Sequence, residues 1–267
     1  MERLPYIAVI LAWGFLSIGH LLPDVVGGTL RDRSRVVGAV AVAVHLVTLI
    51  VAGFTASSPG FPEALSATSL GVGVAYVAVV HRNLRALGLL LAPLAMVTLG
   101  TSLVVPHRTV VALEHTGTSP WLPIHLGLMF AGIGGFALSS VVGVVYLWAR
   151  SRLKGKKFQG RTRLPSLEAL DRIQFRAMLF GFVFLTLGIG AGGVWAAASL
   201  QEAWGNDPKI WFTLLIWAWY GAAVQVRVVA GRRGRWTALF SIVGFGGLLF
   251  SLVGLNFLLG GWHAYGG

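Results

Sequence analysis

Long apolar runs separated by short polar stretches dominate the chain. Eight of them have about the length needed to cross a hydrocarbon core, covering roughly 5–23, 36–56, 64–81, 86–106, 121–149, 176–199, 209–230 and 236–261. The runs are continuously apolar and lack a period-two alternation, which excludes a transmembrane β-barrel. The pattern predicts an all-α, polytopic membrane protein of eight transmembrane helices, forming a single integral membrane domain over 1–267. The first run continues into "GHLLPDVVGG" with no small-x-small cleavage pattern, so it reads as a span and not as a removed signal.

Composition agrees, with 56% hydrophobic and only 11% charged residues, against roughly a quarter charged in soluble domains. The net charge of +12 changes the picture only through its distribution. If the loops after runs 1, 3, 5 and 7 share one side, that side holds 18 of the 21 Lys and Arg residues. They are Arg31, Arg33 and Arg35, then Arg82 and Arg85, then the group from Arg150 to Arg176, then Arg227, Arg232, Arg233 and Arg235. Arg3, Arg108 and Lys209 fall on the other side. By the positive-inside rule the basic side is cytoplasmic, and both termini face the outer (periplasmic or extracytoplasmic) side. The implied location is the inner (cytoplasmic) membrane of a bacterium, spanned many times. The run "RSRLKGKKFQGRTR" is then an orientation signal resting on anionic membrane lipid, and nucleic acid is not implied.

The chain contains no cysteine, which excludes thiol–disulfide donation and thiolate metal sites. Its 36 glycines lie scattered through the runs, as in "AGIGG" and "LGIGAGG", and predict close helix packing. The stretch "EAWGNDPKIWFTLLIW", Glu202 to Trp217, breaks the aliphatic pattern. Trp195, Trp204 and Trp211 are expected near the outer interface, where an indole keeps its N–H wet and its ring buried. Charges among them make a platform suited to a flat, amphipathic ligand.

Seven histidines sort by side. His107, His115, His125 and His263 fall on the outer edge, His20 and His81 at cytoplasmic ends, and His45 inside the second run. His125 opens the fifth run and His263 closes the eighth, at the same expected depth. Two neutral imidazoles across a cleft suit axial ligation of haem iron. Zinc is the competing metal reading, although no usual carboxylate–histidine spacing accompanies it.

The C-terminal half carries "GVWA" at Gly193–Ala196, Trp204, "DPK" at Asp207–Lys209, Trp217, "GF" at Gly244–Phe245, "GLN" at Gly254–Asn256 and "GWHAYG" at Gly261–Gly266. Through these residues it resembles the CcsA-, CcmC- and HemX-type cytochrome c assembly proteins, which carry a tryptophan-rich "WWD" segment flanked by histidines. "WLPIHLGLMF" supplies the matching helix start. The resemblance is good over 121–267 and weak over 1–120, where only "PEALS" fits. It implies haem b, with its iron, held between His125 and His263 over Trp195 and Trp204. Asp207, Lys209 and Arg108 would lie near the propionates. It further implies an apocytochrome c substrate, a ResB/CcsB-type membrane partner, and a role as component of a cytochrome c synthase (haem lyase) without a catalytic side chain of its own. Leu200, Asn206 and Ile210 depart from the family pattern. So does Gln225, which stands where an intramembrane histidine of an H-x-R motif belongs, with Arg227 retained. His45 is then the candidate for serving a second haem, or alternatively for a helix–helix hydrogen bond. A non-enzymatic HemX-like protein that binds haem or regulates tetrapyrrole synthesis is the other function in view.

Overall fold

The structure is a computed structural model that describes residues 4–22, 28–55, 61–80, 84–105, 119–155, 165–199 and 207–255. Among these residues it is entirely helical. The helices are α1 (Leu4–Leu21), α2 (Gly28–Thr55), α3 (Phe61–Val79), α4 (Gly88–Val104), α5 (Trp121–Lys154), α6 (Leu167–Ser199), α7 (Pro208–Val228) and α8 (Arg235–Leu249). A 3-10 turn, Arg85–Leu87, precedes α4, and a π-helical turn, Phe250–Gly254, continues α8.

Six of the eight helices are long and apolar enough to cross a membrane. The exceptions have plain causes. α4 has 17 residues. α7 has 21, but Trp211, Trp217, Trp219, Tyr220, Gln225 and Arg227 reduce its apolarity. α2 and α6 begin eight or nine residues before the apolar runs predicted for them. Hydropathy stops where the charges begin, whereas the helix continues through polar turns. Ser166 caps α6 by accepting the Ala169 N–H at 3.2 Å, and the Arg172–Glu168 pair at 2.7 Å supports its exposed first turns.

Neighbouring helices alternate in direction. His45 of α2 meets Ser66 of α3 and Tyr6 of α1, and His20 of α1 meets Tyr76 of α3. Gly71 of α3 lies against Gly134 of α5. Ser139 of α5 bonds Ser241 of α8, and Phe182 of α6 stacks near Trp217 of α7. One end of the bundle therefore carries the starts of α1, α3, α5 and α7, with His125 and Asp207. The opposite end carries the arginines of α5, α6, α7 and α8. There Arg152 lies over the Trp148 ring and Arg232 over the Trp236 ring, each at 5.4 Å.

α5 and α6 pack along most of their lengths because glycine lets their backbones touch. A Cβ at Gly135 would lie 2.9 Å from the Ala177 carbonyl oxygen and from the Gly181 nitrogen. A Cβ at Gly132 would lie 3.1 Å from the Leu185 nitrogen. In lipid, where apolar surface gains nothing by leaving solvent, this close van der Waals contact is what holds helices together. Phe136 stacks on Tyr220 at 3.7 Å, joining α7 to the pair. Trp217 donates its N–H to Thr186 Oγ1, and Trp219 donates to the Phe240 carbonyl, both at 2.9 Å, so α7 is fixed between α6 and α8.

Candidate functional site

The site is best built from the α5–α6 pairing. "WLPIH" places His125 in the second turn of α5, facing the glycine-rich stretch of α6. His125 Nδ1 lies 2.8 Å from the Gly188 carbonyl oxygen. A carbonyl only accepts, so Nδ1 is the protonated nitrogen of the neutral ring and the lone pair is on Nε2. A hydrogen bond of this kind fixes tautomer and ring orientation in imidazoles that bind metal. The ring occupies a notch on α6, because a Cβ at Gly192 would stand 2.6 Å from His125 Nδ1 and 2.7 Å from Cε1. Gly188 is tight for a second reason, its Cβ position lying 2.8 Å from Met129 Sδ.

Trp195 lies on the same face of α6, since positions 188, 192 and 195 follow the i, i+4, i+7 stripe. It is only 7% exposed, and its indole Nε1 has no hydrogen-bond partner among the described residues. A buried donor left unmatched costs about 1–3 kcal/mol. An oriented imidazole, a cradle that a side chain would fill and an N–H unmatched among the described residues are together compatible with haem.

Asp207 and Lys209 open α7. Asp207 is the N-cap, accepting the Lys209 N–H at 2.8 Å through Oδ1, with Pro208 in the first helical turn. The "DPK" triplet thus has a local structural cause, a carboxylate at a helix start followed by a proline preset for helix. Asp207 is buried, and the Lys209 carbonyl accepts the Thr213 hydroxyl at 2.7 Å. His263, Trp204 and Arg108 lie outside the described residues, as do Leu200 and Asn206.

His45 belongs to a different place. It is 1% exposed between α1, α2 and α3, with Nε2 2.9 Å from Ser66 Oγ and Tyr6 edge-on at 5.9 Å. Gln225 is exposed on α7. Arg227, two residues on, reaches inward instead. Its two terminal nitrogens bond the two Asp171 oxygens at 2.7 and 2.8 Å, Nη1 also reaches Thr237, and the guanidinium lies over Phe175 at 4.3 Å. The Gly234 N–H adds a further bond to Asp171.

Sequence reasoning missed two parts of this arrangement. Asp171 was not singled out, and nothing in its local sequence distinguishes it from a solvated helix start. For Gly188 and Gly192 the sequence alone predicts only close packing. Their four-residue spacing opposite an interfacial histidine is the signal that points to a cradle.

Residues 58–263 match the family described as Cytochrome C assembly protein. The chain is 35% identical over 144 residues to the "Cytochrome c biogenesis protein CcsA" of Prochlorococcus marinus (strain MIT 9515), covering 54% of this chain and 43% of that protein. It is 29% identical over 268 residues to the protein of the same name in Synechococcus elongatus, covering 96% and 75%. With that of Guillardia theta it shares 28% identity over 203 residues, covering 69% and 67%. The chain thus spans less than half of the first of these relatives and about three quarters of the second.

Proposed function

This chain belongs to the cytochrome c assembly protein family, and from that premise we propose that it holds haem b at its histidine end and presents it there for attachment to apocytochrome c. The observation that carries the reading is His125, its tautomer set by the Gly188 carbonyl and its ring seated against Gly192. Within the proposal all eight helices span the membrane. The arginine-rich end faces the cytoplasm and both termini face out, so that His125, Trp195 and the start of α7 lie at the outer surface of a bacterial inner membrane. His263 is the proposed second axial ligand, Trp204 part of the platform, and Lys209 with Arg108 the partners of the propionates. A ResB/CcsB-type membrane protein is the proposed partner.

When bound, haem supplies the vinyl groups to which the apocytochrome thiols add. This chain's own residues orient and shelter. His125 offers Nε2 in one direction, the α5–α6 contact keeps that direction fixed, and the lack of cysteine leaves the substrate's thiols without a competitor.

In a host strain whose cytochrome c maturation depends on a CcsA protein, this chain, supplied with a ResB-type partner in place of that protein, is expected to restore covalent c-type cytochrome. His125→Ala is expected to restore none, read by haem staining of denatured membranes. Restoration by the variant at wild-type level would remove the outer-site reading.

A second reading, a HemX-like protein that binds haem without attaching it, is favoured by one observation. Gln225 is exposed where the family has its intramembrane imidazole, and Arg227 is committed to Asp171. Haem retained by a chain that restores no cytochrome would select this reading. His45, tied to Ser66, is assigned to joining α2 and α3.

A further inference from the structure

Among the described residues, four bury a side-chain polar atom that has no partner: Trp13, His45, Gln174 and Trp195. Three of them are enclosed by helix packing. Trp13 packs edge-on to Tyr76, His45 already bonds Ser66, and Gln174 is fully buried against Gly143. Trp195 differs in its surroundings. It stands one turn beyond Gly192 on the α6 face whose notch takes the His125 ring, about 4.5 Å further along the helix axis.

We propose that the Trp195 indole N–H recognises a carboxylate of the bound tetrapyrrole, so that one face of α6 reads both chemical features of the ligand. Gly188 and Gly192 act on the metal through His125, and Trp195 acts on the acid edge. This rests on the haem reading given above. The argument is one of matching inventories. In iron protoporphyrin the pyrrole nitrogens are committed to the metal, so the carboxylate oxygens are the strong acceptors the ligand brings. The α6 stripe brings one buried donor lacking an acceptor. A charged acceptor also strengthens the bond that an indole makes. The ring of Trp195 would pack in either case; the N–H is the part that packing leaves unexplained.

The test uses the full-length protein purified in detergent, free of haem, and Trp195→Phe, which removes the N–H and keeps an aromatic ring. Each is titrated with iron protoporphyrin IX and with its dimethyl ester, read by absorption. A parallel titration uses metal-free protoporphyrin IX, read by fluorescence, where iron ligation plays no part. The wild type is expected to favour the free acid over the ester by roughly tenfold. Trp195→Phe is expected to lose most of that preference, the remainder coming from Lys209 and Arg108, while keeping wild-type affinity for the ester and the wild-type position of the iron-porphyrin absorption band. The same loss is expected with the metal-free acid. Equal wild-type affinity for acid and ester overturns the proposal without any variant having to fold. A Trp195→Phe protein that keeps the preference, or loses both ligands alike, also overturns it. Wild-type protein that binds no iron porphyrin overturns the haem reading itself, an outcome distinct from the other three.

Discussion

Arg227→Ala is expected to destabilise the protein by about 3 kcal/mol or more, the usual result of removing one partner from a buried ion pair. The side chains of Arg227 and Asp171 are only 9% and 14% exposed. Truncation leaves the Asp171 carboxylate, among the described residues, with the Gly234 N–H as its remaining bond. It also removes the bond to Thr237 and the contact with Phe175, through which the guanidinium ties α7 to α6 and α8. Arg227→Lys is expected to recover only part of the loss, because an ammonium cannot make the two parallel bonds of the guanidinium fork. The double substitution Asp171→Ala/Arg227→Ala is expected to be less damaging than the sum of the single ones, since no charge is then stranded. Unfolding in mixed micelles, followed by tryptophan fluorescence, measures the wild type, Arg227→Ala, Arg227→Lys, Asp171→Ala and the double variant. A single-variant cost under about 1 kcal/mol would mean that water screens the pair as it does at a surface.

Gly192→Ala is expected to weaken haem binding by at least about tenfold, the range seen when the outer support of a metal ligand is removed. The new methyl group would stand 2.6 Å from His125 Nδ1, inside van der Waals contact, so the ring has to turn or withdraw. Either movement breaks the 2.8 Å bond to the Gly188 carbonyl and frees the imidazole to change tautomer and aim. Gly190 supplies the control, since a Cβ there meets nothing within 4 Å. Gly190→Ala changes helix propensity in the same direction and leaves the notch untouched. Titration of both variants with iron protoporphyrin separates the effects, and equal affinities would show that the notch positions nothing.

The helical membrane architecture was legible from apolar run length alone, because a bilayer imposes a minimum length that composition reveals directly. Helix ends at the basic side were not. Hydropathy detects lipid, while α2 and α6 continue beyond the apolar stretch on capping and surface pairs such as Arg172–Glu168. α7, Pro208–Val228, was legible as the run 209–230 even though its tryptophans and Arg227 lower its apolarity. At the site, His125 was visible through its resemblance and its place at the start of a run. The cap role of Asp207 came only from the structure, although an aspartate before a proline is a helix-start signal. The pairing of His125 with Gly188 and Gly192, 63 and 67 positions away, was not. It depends on the α5–α6 register, set by backbone contacts at Gly132, Gly135 and Gly181 that no local pattern encodes. Asp171 was hidden for the same reason, since its partner is contributed by another helix.

The most direct measurement is the absorption spectrum of the purified protein made under haem-replete conditions, alongside His125→Ala and His263→Ala. The account predicts a low-spin spectrum of bis-imidazole type in the wild type, lost or converted to high spin in each variant, with all three proteins equally folded. A wild type that purifies without haem, or a His125→Ala protein with an unchanged spectrum, would contradict it.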